Sequence, residues 1–473
     1  MIDASPVNES ASPPVVNAAS PFGWFAYLWP IAVLFHLGGN DFHLVNLTPT
    51  GVFQIPFAIA AIAMLIRPSA RRALILALSH LPVVLIKLPQ VGNHEILLLL
   101  IHLTVVLAVT SRRKDWIAAA APVMRWILLI GYSAIAFSKL NSSFVDRAVS
   151  CAVIFGDEFA DWVNVSVSHS AALSTMVIAI TLAAELSIPV LLMIRGLRRY
   201  GVALGLVFHT LLALEPNGHV FDFTSVLFIL FLLFLAPDAS DRLRQKVEDK
   251  HRSLGTLLIL ALVAVMALGN LVTFRMRSQG VAIPQWLFDY PLWIAYAAFL
   301  LRAVLPSTRA KSATSQRVAM RIAPVMSVVL LLTSLNAASP YLELRTAGAF
   351  NMYSNLSTFD GDTNHYLLPG TLPLRRTPDV YQYIPNPETA IGLDFYAADG
   401  FLLPHDNLAR WARIYPSIDA DLIRVGDDHS VTNSDSLEGD IGGWDLLVQR
   451  VLYIRAIDPV APTSCRRYWG PAH

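Results

Sequence analysis

Roughly eleven apolar segments, most of them close to twenty residues long, run through this chain and leave it little choice but a bundle of membrane helices. They lie near 23–44, 51–66, 72–90, 94–111, 120–140, 171–194, 200–215, 219–236, 254–274, 285–303 and 322–338. Several carry an internal proline (Pro30, Pro56, Pro82, Pro189), which membrane helices tolerate better than soluble ones do. Only 15% of the residues are charged and the mean hydropathy is +0.53, where soluble domains carry about 25% charged residues. A net charge of +1 offers nucleic acid no basic face, and no zinc-finger, P-loop or dinucleotide-loop pattern is present.

The loops test this reading independently of hydropathy. Arg67, Arg71 and Arg72 follow the second segment, and Arg112, Arg113 and Lys114 follow the fourth. Arg195, Arg198 and Arg199 follow the sixth; Arg242, Arg244, Lys246, Lys250 and Arg252 follow the eighth; Arg302, Arg309, Lys311, Arg317 and Arg321 follow the tenth. The intervening loops hold only Lys87, Lys139, Arg147, Arg275 and Arg277. Positive loops stay in the cytoplasm, so the N-terminus is expected there and residues 340–473 outside. The first 22 residues are rich in Ser, Pro, Asn and Ala and lack the basic start of a signal peptide, which reads as a disordered tail.

The fold expected is therefore an all-α polytopic membrane bundle of about 11 transmembrane helices with a small C-terminal β-rich extracytoplasmic domain. Its parts are the tail at 1–22, the helical domain at 23–338 and the cap at 339–473. Within the cap, Asp379–Ile384, Ala390–Tyr396 and Leu446–Ile457 read as strands, and Leu408–Arg413 as a helical turn or two. Cys151 and Cys465 both fall outside in this topology, which predicts a disulfide between the loop after Lys139 and the cap; the alternative is two free thiols.

Lys139 ends an otherwise almost wholly apolar run that begins at Arg125, with Tyr132 midway. The three residues are seven apart, and seven steps of about 100° return to nearly the same helix face. Ionisable groups inside a membrane usually mark function when they face the protein interior. The plainer alternative is a lysine snorkelling at a helix end. Other ionisable groups gather toward the outer half: Asn93 and His94 at the mouth of the fourth segment, Glu185 in the sixth, His209 in the seventh, and Glu215 and His219 beyond it. One outward-opening polar cavity would explain that bias. Against it, His209 can simply bond a neighbouring helix, Glu185 can be a paired packing residue, and His94 an ordinary loop residue. His36, His80 and His102 lie in apolar runs without an evident partner, and structural roles are expected for them. No close metal-ligand pattern such as His-Glu-x-x-His occurs, so no metal is expected.

The loop from Asn141 to Ser170 mixes Phe144, Phe155, Phe159 and Trp162 with Asp146, Asp157, Glu158 and Asp161. It reads as a helix lying in the membrane interface, or more sharply as a re-entrant lid over Lys139. Asn364-His365 in the cap reads as a turn pair on a solvated loop, or as a closure of the cavity from above.

Residues 23–240 resemble the HTTM domain, the bacterial relatives of vitamin K-dependent gamma-glutamyl carboxylase. The resemblance rests on Arg125, Tyr132 and Lys139 at seven-residue intervals, on Leu182-Ala-Ala-Glu185-Leu-Ser187, on Gly201 followed by Phe208-His209, and on Asn93-His94 upstream. It implies that Lys139 is the base that deprotonates a reduced, vitamin K-like quinone, with His94 and His209 as orienting or charge-stabilising catalytic partners. Tyr132, Arg125, Asn93 and Glu185 would then line or support the cofactor site. It also implies a bacterial cytoplasmic (inner) membrane, with a lipophilic quinol or lipid as ligand and a secreted or envelope protein as partner. Burial makes an amine easier to deprotonate, which such a role requires. The chain departs from the animal carboxylase in having Ser138 rather than a second lysine before Lys139, and in lacking a recognisable propeptide-binding region. Two other classes of function stay open, a lipid- or solute-binding transporter and an envelope scaffold.

Overall fold

A computed structural model describes residues 20–38, 49–89, 91–111, 115–161, 164–215, 220–251, 286–309, 323–374, 379–384, 400–414, 421–425, 431–433 and 450–465, with isolated positions between them. The chain is mostly helical. Its helices are α1 (Phe25–Gly38), α2 (Pro49–Ile66), α3 (Ala70–Lys87), α4 (Asn93–Thr110), α5 (Trp116–Ser138), the short α6 (Ser142–Val145), α7 (Cys151–Ala160), α8 (Ala171–Met193), α9 (Arg198–Leu212), α10 (Phe221–Leu232), α11 (237–251), α12 (Trp286–Arg309), α13 (Ser327–Ala338) and α14 (His405–Ile414). Side chains start several of them: Ser69, Asp115, Asn141 and Ser170 each accept a backbone N–H of the first turn.

The bundle grows by antiparallel neighbours. Helices α2 to α5 pack in sequence, α1 lies against α2 and α10, and α5 touches α4, α8, α10 and α13. All twelve residues of α10 are buried, so it is the central pillar of the apolar core. Two glycines of α9 set how closely α10 and α8 approach that helix. A Cβ on Gly205 of α9 would stand 2.8 Å from the Phe231 ring of α10, and one on Gly201 would stand 3.0 Å from the Leu192 backbone nitrogen of α8. The outward surfaces are themselves apolar. Ile75, Leu78, Leu81 and Leu85 on α3, and Met176, Ile180 and Met193 on α8, are exposed. Water does not tolerate a surface of that extent, whereas lipid does.

Three helices among the described residues, α4, α5 and α8, are long and apolar enough to cross a membrane. The count of about eleven spans is not supported by helix length among the described residues. The apolar run near 219–236 folds as twelve residues of α10 followed by turns, and α1 has 14 residues, or about 21 Å at 1.5 Å each, short of a hydrocarbon slab about 30 Å thick. An apolar run can be long because it is buried in protein on every side, as α10 is, rather than because it spans. Most of the run at 254–274 and the tail at 1–19 lie outside the described residues.

Beyond α13 the chain forms a small β-containing part. A two-stranded hairpin pairs β1 (Thr358–Phe359) with β2 (Asp362–Thr363) across Asp360 and Gly361, both at positive φ as a type I′ turn requires. A four-stranded antiparallel sheet has the order β4-β3-β5-β6, with β3 at Val380–Tyr383, β4 at Leu403–Pro404, β5 at Asp421–Arg424 and β6 at Val431–Asn433. Helix α14, which contains Leu408–Arg413, packs Leu408 and Ala409 on the Tyr381, Phe401 and Leu422 face of that sheet. The strand expected at Leu446–Ile457 is not present over its described part. There, 450 and 451 are helical and only Ile457 makes an isolated bridge, to Leu402. The strand expected at Ala390–Tyr396 falls almost wholly outside the described residues.

Residues 339–365 are a polar strap over one end of the bundle. Phe350 and Met352 join the main apolar core, and the Arg345 guanidinium donates to the carbonyls of Ala347, Val451 and Pro89. Asn355 donates to Val149 and Thr463 carbonyls and accepts from the Cys151 N–H. A disulfide joins Cys151 to Cys465, as the topology predicted. Asn364 donates to Asn141, Ser143 and Asn355. Its neighbour His365 donates from Nε2 to the Phe137 carbonyl at 2.9 Å and accepts at Nδ1 from the Leu367 N–H at 3.1 Å. With His365 buried and Asn364 half-buried, the pair is a latch on the end of α5 rather than a solvated turn.

This latch predicts a pH dependence. Burial pushes the His365 imidazole below its ordinary value, against the pull of the Phe137 carbonyl. A base with a depressed value in the folded state binds fewer protons there than when unfolded, so its stabilisation is complete above about pH 6.5 and is lost as the pH falls below that. The protection factors of residues 354–367, exchange corrected for its intrinsic pH-dependent rate, should fall between pH 7.5 and pH 5 in the native chain. The same comparison should be flat in His365→Gln.

Candidate functional site

Helix α5 delivers Tyr132 and Lys139 to one cavity of about 390 Å³. Lys139 is the C-cap of α5 and is 4% exposed. Its Nζ donates to the Met352 carbonyl at 3.0 Å and lies 2.9 Å from Glu185 Oε2 on α8, an ion pair rather than an aligned hydrogen bond. About two turns deeper, the Tyr132 hydroxyl shares a 3.0 Å hydrogen bond with His209 Nε2 of α9. The rings of Phe208, Phe223 and Phe231 close around His209.

Helix α7 forms another wall. Phe155, Gly156 and Phe159 face the cavity, and the return loop to α8 is tied by Asp157, whose carboxylate accepts from Ser166, Val167 and Ser168. Those donors hold Asp157 below the usual carboxylate range against the opposing cost of burial. The segment after Lys139 is therefore a wall of the site; Trp162 and Val163 lie outside the described residues. Phe159 of α7, Ile180 of α8 and Leu211 of α9 line the cavity and are also exposed on the apolar outer surface. The mouth thus opens sideways, onto the face that lipid would cover.

Four of the seven expected site residues meet here: Lys139, Glu185, Tyr132 and His209. Arg125 does not. It shares the α5 stripe, but fourteen residues at 1.5 Å put it about 21 Å from Lys139. Its Nε and Nη2 donate to the Leu233 carbonyl, capping the end of α10, with Phe22 and Phe234 against its plane. Equal angular position on a long helix does not bring two residues to the same depth.

Asn93 and His94 belong to a second cluster, on the other side of α10. His94 Nε2 lies 3.7 Å from Asp222 Oδ2, and its ring centroid lies 5.0 Å from that of His36. Asn93 is wholly buried and its amide finds no hydrogen-bond partner among the described residues. His36, His80 and His102, expected to lack partners, are joined to one another and to Glu95. The Trp29 indole donates to His102 Nε2 at 3.2 Å, His102 Nδ1 meets His80 Nδ1 at 3.0 Å, and His80 Nε2 meets Glu95 Oε2 at 3.1 Å. Lys87 donates to Glu95 Oε1 at 2.5 Å, with His36 Nε2 at 3.6 Å from the same oxygen. An indole can only donate, so a neutral His102 carries its proton on Nδ1, and His80 in turn carries its own on Nε2, directed at the carboxylate.

The signal for this row was present in the numbering. His80 and Lys87 are seven apart on α3, and Glu95 and His102 are seven apart on α4. Folding α3 back on α4 sets Lys87 beside Glu95 and His80 beside His102. In space, His36, His80 and Glu95 form one group of three ligand-type atoms, and His36, His94 and Asp222 form another. Linear metal motifs miss both, because each draws on three helices.

No protein-family model, curated protein or solved structure matches this chain.

The Lys139–Glu185 pair makes a clear prediction. Removing one member strands a buried charge, so Glu185→Gln should cost about 3–5 kcal/mol of stability, whereas Lys139→Met with Glu185→Leu should be close to neutral. Thermal unfolding in detergent across the four-member cycle measures the difference.

Proposed function

We propose that this protein is a multi-pass membrane enzyme that takes a lipophilic quinol from the bilayer and deprotonates it at Lys139. The observation that carries this reading is the cavity itself. It joins a mouth on the apolar outer face to an internal end that holds an ion pair and a tyrosine–histidine pair. An apolar tail fits the mouth, and a hydroxylated ring fits the end. The reading agrees with the resemblance to the HTTM and carboxylase group.

The chemistry follows from the pair. Two opposite charges in a low-dielectric cavity are close in free energy to their neutral forms, because burial penalises both ions. With the lysine proton passed to Glu185, the free Nζ electron pair takes a quinol O–H proton. The products are a quinolate and a new ammonium beside it, so charge is conserved and the ions form as a pair. Tyr132 and His209 would orient the far side of the ring or stabilise charge developing there. His94, in the other cluster, takes no part in this step.

We place the N-terminus in the cytoplasm and the strap and sheet outside, in a bacterial inner membrane. The basic loops and the Cys151–Cys465 disulfide support this side, since disulfides persist in oxidising compartments. Helices α4, α5 and α8 are each long enough to cross fully, and the alternation of the basic loops requires shorter apolar helices to cross beside them.

The test is extraction of native lipids from protein purified in nanodiscs, followed by turnover with reduced vitamin K as probe. A quinone should co-purify. Lys139→Met should retain it, and should slow oxygen consumption by about 10²–10⁴-fold, the usual worth of a positioned base. Equal rates in the native and Lys139→Met proteins, or a cavity holding phospholipid alone, would leave a lipid-binding or scaffold protein instead.

A further inference from the structure

We propose that His36, His94 and Asp222 form a binding site for one divalent transition-metal ion, with Glu95 holding His36 from behind. A ring nitrogen of His36, one of His94 and a carboxylate oxygen of Asp222 all lie within 4.8 Å of one another. Ligand atoms at 2.0–2.1 Å from a tetrahedral ion stand about 3.3 Å apart. The His94 Nε2 to Asp222 Oδ2 distance of 3.7 Å is already near that value, so small side-chain rotations close the site. Two imidazoles and one carboxylate, with a position left open, suit zinc or ferrous iron rather than calcium or magnesium.

The second observation is an orphaned atom. His36 is 2% exposed, and its Nδ1 has no hydrogen-bond partner among the described residues. Its other nitrogen, Nε2, is the one near Glu95 Oε1. A ring that directs Nε2–H at a carboxylate has its lone pair on Nδ1, which is the arrangement that orients histidines on metals. Asp222 is prepared in a similar way. Its Oδ1 accepts the Phe223 N–H, while Oδ2 is the oxygen nearest His94.

The neighbouring group of His36, His80 and Glu95 is not the ligand set. His80 Nε2 carries the proton that Trp29 and His102 dictate, and Lys87 and His80 already occupy the Glu95 carboxylate. Binding a cation at His80 would force the His102 N–H against the Trp29 N–H. The relay therefore serves as the outer shell: it fixes the Glu95 carboxylate in place, and Glu95 keeps His36 turned.

The experiment uses the full chain in detergent, stripped with EDTA and titrated with Co²⁺. The native protein should retain one equivalent through desalting and show visible d–d absorption. Asp222→Asn and His94→Gln should each weaken binding by 100-fold or more, Glu95→Gln by 10- to 100-fold, and His80→Gln far less. Should a variant not fold, X-ray absorption of the native cobalt form still decides, since it must show two imidazoles with oxygen. Failure of the native chain to retain cobalt, or loss in His80→Gln with retention in Asp222→Asn, would overturn the assignment. None of these readouts depends on quinol chemistry, so they stand apart from the function proposed for Lys139.

Discussion

The ammonium of Lys139 ties three parts of the molecule together at one atom. It belongs to α5, it pairs with Glu185 of α8, and it donates to the Met352 carbonyl of the strap. A charge with so little water around it must have its partners, or the fold pays several kcal/mol. The strap is thereby drawn down onto the bundle, where Asn141, Ser143, Asn355 and Asn364 complete a continuous polar layer. The cavity lies beneath that layer, closed above by hydrogen bonds and bounded at its sides by greasy helices. Its apolar mouth and polar end are consequences of where the layer stops.

Much of this was legible in the chain before folding, and the residues show why. Helices α3, α4, α5 and α8 lie where the apolar runs lie, because a continuous apolar run of that length has no other way to satisfy its backbone in lipid. The convergence of Lys139, Glu185 and His209 was suggested by their shared depth toward one end. Arg125 was misplaced because helical phase carries no information on depth. Hydropathy alone does not give the number of crossings, because it cannot distinguish the surroundings of α10, which are protein, from those of α8, which on one side are not.

The histidines show a different limit. A lone histidine in an apolar run says nothing of its partner, since the partner sits on another helix. His80 and His102 acquire meaning only when α3 and α4 pair, and His36 only when α1 is set beside them. Reading the two seven-residue spacings together, His80 with Lys87 and Glu95 with His102, would have recovered the row. An antiparallel hairpin aligns such stripes end to end, bringing the cation at the close of one helix beside the anion at the start of the next.

Helix α10 connects the two clusters. Asp222 and Thr224 are two residues apart, or about 200° around a helix, so they face nearly opposite sides. Asp222 meets His94 in the histidine cluster, while Phe223 and Thr224 line the lysine cavity. The first turn of α10 is therefore a shared wall. Its position is held at the other end by Arg125 on the Leu233 carbonyl and along its length by the Gly205–Phe231 contact. A buried helix packed on all sides does not bend to fit a local change; it shifts as a unit or not at all. Whatever fixes Asp222 against His94 thus also fixes how Phe223 and Thr224 shape the space beside His209. The arginine excluded from the lysine cavity by depth still acts on it, through the helix whose far end it anchors.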